Sequence, residues 1–521
     1  MKKIIAYDST LRDGAQAQGI SFSVEDKLKI VEKLDELGIA YIEAGNPSSN
    51  PKDLEFFVRV AALNLKHSKI IAFGSTCKVG AVAADDKHLQ SLLLANTSAV
   101  AIFGKSWDYQ VTDILRTTLP ENLRMIGHTI AYLKKEGREV VFDAEHFFDG
   151  YKANADYAMQ TLKAAADAGA DVLCLCDTNG GTFPDEISSI TKKVVQQFDA
   201  AIGIHCHNDS EMAVANSIAA VQAGATQVQG TINGIGERCG NANLVSIIPN
   251  LQLKLGMSCI PLHNMNHLTE VARFVNEVAN MPFNDKAAYV GGDAFSHKGG
   301  MHIDAVSKDP ASYEHINPEQ VGNARHILMS EVAGRSALLS RINAVDPSLK
   351  KDSPETKRIL DQIKSLEHEG YQFEGAESSL QLLIYKLLGK HKPFFELKEY
   401  KVSIVEPSVN GINSSAMIKI WVDGQEEIMA AEGDGPVNAL DNALRKALER
   451  FYPAIKEVKL TDYKVRVLDS NKATAAKVRV LIESTDLQDS WTTIGVSTDI
   501  IDASWRALID SIEYKLMRDL R

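Results

Sequence analysis

Apolar positions in the first half of the chain alternate between two patterns. Short runs rich in β-branched residues (IIAYD, AYIEA, KIIAFG, AVAIFG, EVVFDA, DVLCLCD, AIGIHCH and TQVQGT) read as strands. Between them lie stretches such as VEDKLKIVEKLDELG and NADYAMQTLKAAADAGA, in which apolar residues recur at three and four and a glycine closes the helix. Eight such alternations within residues 1–258 predict βαβ units closed into a (β/α)8 TIM barrel, an α/β architecture. From 259 to 390 the pattern is mostly helical, interrupted by FSHKGGMHIDAVSKDPASYEHINPEQVG, and predicts a helical connector. Residues 391–521 return to strands and helices and contain an internal echo. GPVNALDNAL and DIIDASWRAL align at an offset of 64, matching Ala439 with Ala503, Ala443 with Ala507 and Leu444 with Leu508. Two copies of a strand-rich unit ending in an amphipathic helix predict a C-terminal α+β domain with an internal duplication and no obvious catalytic set.

The polar residues gather where a barrel places its chemistry, in the loops that follow the strands. DSTLRDGAQ follows the first strand, EHFFD the fifth, DTNGG the sixth, HCHND closes the seventh and NGIGERCGNANL follows the eighth. In HCHND the two-residue period of a strand turns His205 and His207 to one side and Cys206 to the other. Two neutral imidazoles with the carboxylate of Asp13 form a three-ligand set for a divalent cation, and closure of the barrel brings the first strand close to the seventh. Asn241, after the eighth strand, can add an oxygen. An H-x-H alone is as readily a structural pair; the other rims tip the balance.

Arg12, next to Asp13, suits a substrate carboxylate held through paired hydrogen bonds, and Thr178 in DTNGG can donate a hydroxyl to the same group. An α-keto acid fits this arrangement. Taken singly, Arg12 is more often an ion-pair residue and Thr178 a turn former. Glu43 and Glu145, at the ends of the second and fifth strands, can each move a proton or orient water. A salt bridge to Arg12 is the stronger reading for Glu43, and acid-base work the stronger one for Glu145. Phe73 and Phe103 at strand ends either shrink an acyl pocket or pack the core, with packing ahead.

Composition excludes more than it identifies. At 45% hydrophobic and 24% charged residues, the 521-residue chain is of ordinary globular composition. A formal charge of -12 offers no basic stripe for nucleic acid, and no apolar run approaches a membrane span. The lysine-led N-terminus turns polar too soon for a signal core, so the expectation is a cytoplasmic protein. Six cysteines without a C-x-x-C pair fit reduced thiols; Cys174 and Cys176 are either a metal-binding pair or, more commonly, small buried hydrophobes.

DSTLRDGAQ, HCHND and GIGERCGNANL resemble the signatures of the isopropylmalate, homocitrate and citramalate synthase family, the metal-dependent Claisen-condensing barrels. FSHKGGMHIDAV is similar to the connector motif of that family, and the tail around GDGPVNALDNAL to its leucine-type allosteric domain, so the likeness covers nearly the whole chain. It implies that Asp13, His205 and His207 bind a divalent metal (Zn, Mn or Mg) with Asn241 nearby. It also implies that Arg12 and Thr178 hold the keto acid, with Glu43 on the substrate side, and that Glu145 takes part in acid-base work. His302 and Tyr313 would reach the site from the connector of a partner subunit, in a homodimer. Acetyl-CoA would be the co-substrate; His302, Glu145 or a bound water would be the base. YDSTLRDGAQAQG and YIEAGNPSSNPKD look most like the citramalate branch, whose acceptor is pyruvate, with isoleucine as the expected effector in isoleucine synthesis. Rival readings are a branch using a different keto acid, a carbon–carbon lyase on the same barrel, and an amino-acid-binding regulator with a degenerate barrel.

Overall fold

A computed structural model describes residues 2–47, 51–327, 339, 341–343, 345–350, 353–409, 412–468, 475–486 and 489–519. All eight expected strands form: β1 (Ile5–Asp8), β2 (Tyr41–Glu43), β3 (Lys69–Ser75), β4 (Ala99–Lys105), β5 (Glu139–Glu145), β6 (Val172–Asp177), β7 (Ala201–Cys206) and β8 (Gln227–Gly230). They pair in parallel in chain order, and β1 closes on β8 with Tyr7 opposite Gln229.

Alternation along each strand sorts side chains into two cores. Val140, Phe142 and Ala144 of β5, with Ile204 and Cys206 of β7, face outward into the apolar layer beneath the helices. Val141 of β5, Cys174 and Cys176 of β6, and Tyr7 and Tyr41 face the barrel interior. The helices begin and end where local chemistry dictates. In Val24–Leu37, Ser23 and Asp26 form a reciprocal cap, and Gly38 ends the helix at φ 93°.

The chain divides into two compact units. The first comprises Met1–Ser296 and Asp309–His326, so helix Leu268–Val278 belongs with the barrel, where Val271, Ala272 and Val275 join its core. The second comprises His297–Lys308 and Ile327–Arg521. Its helices Pro354–Glu369 and Glu377–Leu387 share a core with Ile494 and Leu481. Beyond them the duplication is explicit. Strands Phe395–Val409, Ile412–Val422 and Gln425–Gly433 form an antiparallel sheet followed by helix Pro436–Leu448. Strands Lys459–Val467, Val478–Thr485 and Ser490–Ser497 repeat the pattern before helix Ile500–Asp519. The echoed positions are the buried helix faces: Ala439, Ala443, Leu444, Ala503 and Ala507 are fully buried and Leu508 nearly so. Among the described residues no helix is long and apolar enough to cross a membrane.

Candidate active site

A cavity of about 280 Å³ opens at the C-terminal ends of the barrel strands. Its wall includes Arg12, Asp13, Glu145, Thr178, His205 and His207 from the sequence-derived set. The Nε2 atoms of His205 and His207 lie 3.3 and 4.0 Å from Asp13 Oδ2, and one ligand atom from each of the three residues falls within 4.8 Å of the others. All three are buried. Burial and the neighbouring His205 push the His207 imidazole down to about 3, so it is neutral at ordinary pH, as a ligand must be. Against the upward push of burial, Arg12 and His205 hold the Asp13 carboxyl well below the usual carboxylate range.

The donor set fits a divalent cation. Among the described residues, buried Asn241 Oδ1 has no hydrogen-bond partner, which is costly unless something else satisfies it. Asn241 lies beside His207 through a backbone bridge, and its Nδ2 donates to the Ile235 carbonyl at 3.2 Å, leaving its oxygen available.

Arg12 is fixed from three sides. Its Nε donates to Glu43 Oε1 at 2.5 Å, an Nη lies 3.2 Å from Asp13, and the guanidinium carbon sits 3.9 Å above the Phe73 ring. Glu43 is fully buried and also accepts from Tyr7 Oη and Ser9 Oγ, each at 2.6 Å. The structure thus places Glu43 beneath Arg12 and off the cavity wall, with its carboxylate already engaged. Phe73 and Phe103 line the cavity and stack with centroids 5.4 Å apart. Thr178 Oγ1 accepts from the His146 backbone N–H at 2.8 Å, which leaves its own hydrogen free to be donated. His146 holds that N–H in place at φ 59°, a left-handed conformation uncommon outside glycine. Glu145 Oε2 pairs with Lys105 Nζ at 2.5 Å.

His302 lies exposed on helix Gly300–Lys308 of the second unit. Tyr313 is exposed after the short turn Pro310–Ser312 and is not on the cavity wall. Sequence reasoning missed Gln16, Asp143, Glu237 and Arg238, all on the wall, and Gln229 below it; Cys176, weighed from sequence as a ligand or a buried hydrophobe, lies on the wall as well. Two of these carried a signal: Asp143 stands two residues before Glu145, and Gln229 two after Gln227, polar residues at strand period within apolar runs. Arg238 bridges three rims, gripping both oxygens of Asp209 and the Thr178 carbonyl at 2.7 Å. The cysteine pair joins Asp143 within 4.8 Å inside the barrel, where burial raises the Cys174 thiol.

Three family models match in succession: HMGL-like over residues 3–275, homocitrate synthase post-HMGL domain-like over 289–371, and the LeuA allosteric (dimerisation) domain over 374–516. The chain is 56% identical to the (R)-citramalate synthase of Aquifex aeolicus, covering 99% of this chain and 98% of that one. It is 53% identical to the (R)-citramalate synthase of Geobacter sulfurreducens over the same shares, and 31% identical to a probable 2-isopropylmalate synthase of Methanopyrus kandleri, covering 98% of each. With the barrel, the converging site and the duplicated tail all in place, the chain belongs to the (R)-citramalate synthase family of HMGL-like barrel enzymes.

Proposed function

We propose that this enzyme condenses acetyl-CoA with pyruvate, giving (R)-citramalate and CoA with consumption of water. The observation that carries the reading is the meeting of Asp13, His205 and His207 beside Arg12 at the floor of a small, aromatic-walled cavity. Asp13, His205 and His207, with Asn241 alongside, would hold a divalent cation. Such a cation supplies Lewis-acid polarisation of the keto carbonyl and stabilises the negative charge that develops there.

The rest of the work falls to side chains. Arg12, pinned by Glu43, and the free hydroxyl hydrogen of Thr178 bind the pyruvate carboxylate. The stacked Phe73 and Phe103 favour a methyl group over larger acyl chains, at roughly 1–3 kcal/mol per methylene excluded. The acetyl methyl gives up a proton, its carbon bonds to the carbonyl carbon, and water then cleaves the thioester. Glu145, on the cavity wall and paired with Lys105, takes the acid-base part, with His302 and Tyr313 joining from the connector of a partner in a homodimer. The tail binds an amino-acid effector, isoleucine, and the reaction feeds isoleucine synthesis in the cytoplasm.

Free-thiol release from acetyl-CoA, assayed over a panel of keto acids, tests this. Pyruvate should be the preferred acceptor. Turnover with 2-ketoisovalerate or 2-ketoglutarate and none with pyruvate would reassign the acceptor, and no thiol release with any keto acid would refute the condensation.

A further inference from the structure

Beneath the cavity runs a hydrogen-bond chain that crosses the barrel interior. His205 Nδ1 lies 3.0 Å from Gln229 Oε1, and Gln229 Nε2 donates to Asp143 Oδ1 at 3.0 Å. A weaker contact from Gln229 Nε2 reaches Gln227 Oε1 at 3.4 Å. The three linked residues come from β7, β8 and β5; His205 and Asp143 are nearly fully buried and Gln229 is fully buried. A buried glutamine amide has two possible orientations, and here only one is compatible with its neighbours. The reverse orientation would set the amide oxygen against the Asp143 carboxylate, acceptor to acceptor; Gln227, an amide that can itself turn, does not discriminate. The amide oxygen therefore faces the imidazole, so His205 Nδ1 must be the donor. With Nδ1 committed to Gln229, Nε2, 3.3 Å from Asp13 Oδ2, is the ring nitrogen left to face a cation.

We infer that Gln229, itself oriented by Asp143, is the positioning residue of the cation site: it fixes the tautomer and ring plane of His205. The inference rests on the reading of Asp13, His205 and His207 as metal ligands. Partners of this kind on the far nitrogen of a ligand histidine carry about 10- to 100-fold in metal affinity. They do so without touching the metal or the substrate.

The test is titration of Co2+ into the chelator-stripped, full-length protein, with the thermal midpoint of each variant measured alongside. Gln229→Leu should weaken Co2+ binding by about 10-fold or more. Gln229→Glu alone should also weaken it, because the new carboxylate faces that of Asp143. Combining Gln229→Glu with Asp143→Asn reverses the bond between the two positions, the amide introduced at 143 donating to the carboxylate introduced at 229, but keeps an acceptor oxygen on His205 Nδ1, and should bring the affinity back to within about threefold of the parent. If Gln229→Leu does not fold, the Glu single and the double exchange carry the test by themselves. Equal Co2+ affinity in parent and Gln229 variants overturns the inference while leaving the metal reading intact. A double exchange no better than the single overturns it too, since loss of packing alone would not be rescued by reversing two polar groups. Failure of the parent to bind Co2+, Mn2+ or Zn2+ overturns both.

Discussion

At the scale of single residues, the site depends on groups that touch no substrate. Arg12 is aimed by Glu43 and by the Phe73 face, and a lysine there would keep the charge but lose the planar fork. Arg12→Lys should lower kcat/KM for the keto acid about 10- to 100-fold, the worth of a charge-assisted pair of hydrogen bonds, with metal content unchanged by elemental analysis. Asp8 makes a separate case. It is fully buried at the end of β1, accepts from the Thr10 amide at 3.0 Å and hydroxyl at 2.7 Å, and burial pushes it up to about 7. The unfolded carboxyl titrates near pH 4, so between about pH 4 and 7 the folded chain holds a proton that the unfolded chain has released. Stability therefore falls as pH rises through that window and levels off above it. Asp8→Asn removes this dependence. Its unfolding free energy relative to the parent should climb with pH, by an amount on the order of 4 kcal/mol across the window from about pH 4 to 7, as read from denaturant unfolding at a series of pH values.

At the scale of elements, the loop after β8 shows how backbone packing sets a ligand. A Cβ on Gly236 would meet Asn241 Nδ2 at 2.1 Å, and one on Gly240, at φ 90°, would meet the Gly234 carbonyl oxygen at the same distance. The first clash falls on a movable side chain and the second on rigid backbone. Gly236→Ala should displace Asn241 and weaken metal binding with little change in melting temperature, whereas Gly240→Ala should lower both; calorimetry with metal titration separates them. Strands and loops of this kind were also where the sequence was legible. All eight barrel strands followed from β-branched runs, and His205 and His207 from period-two alternation at the end of β7, because that alternation is local; Asp13 followed from its place in the polar loop after β1. Asp143 and Gln229 each carried the strand period, but their meeting stayed hidden, because it comes only when β5 and β8 face each other across a closed barrel, which no local pattern records. Glu43 was read from sequence both as an Arg12 partner and as a substrate group. Its three donors, from Tyr7, Ser9 and Arg12, converge only in three dimensions.

At the scale of the whole molecule, the two units have separate cores, and this bears on regulation. Among the described residues, the large core beneath the barrel helices draws on none beyond Val321, and every candidate cluster of metal donors sits on that unit. The second unit builds its own cores from the paired sheet-and-helix repeats, and its connector helices bury Ile359, Ile363, Leu380 and Ile384 together with Ile494 of the tail. Deleting 391–521 should therefore leave metal affinity unchanged while abolishing the inhibition by isoleucine proposed above. The deletion also uncovers the apolar faces of the connector helices, so the soluble yield should drop. The comparison must then be made per folded molecule, by metal titration and thiol release with and without isoleucine. A deletion that still responds to isoleucine would move the effector site onto the barrel or connector. One that loses metal affinity would mean that the barrel needs the tail to hold its donors, contrary to the separation of the cores.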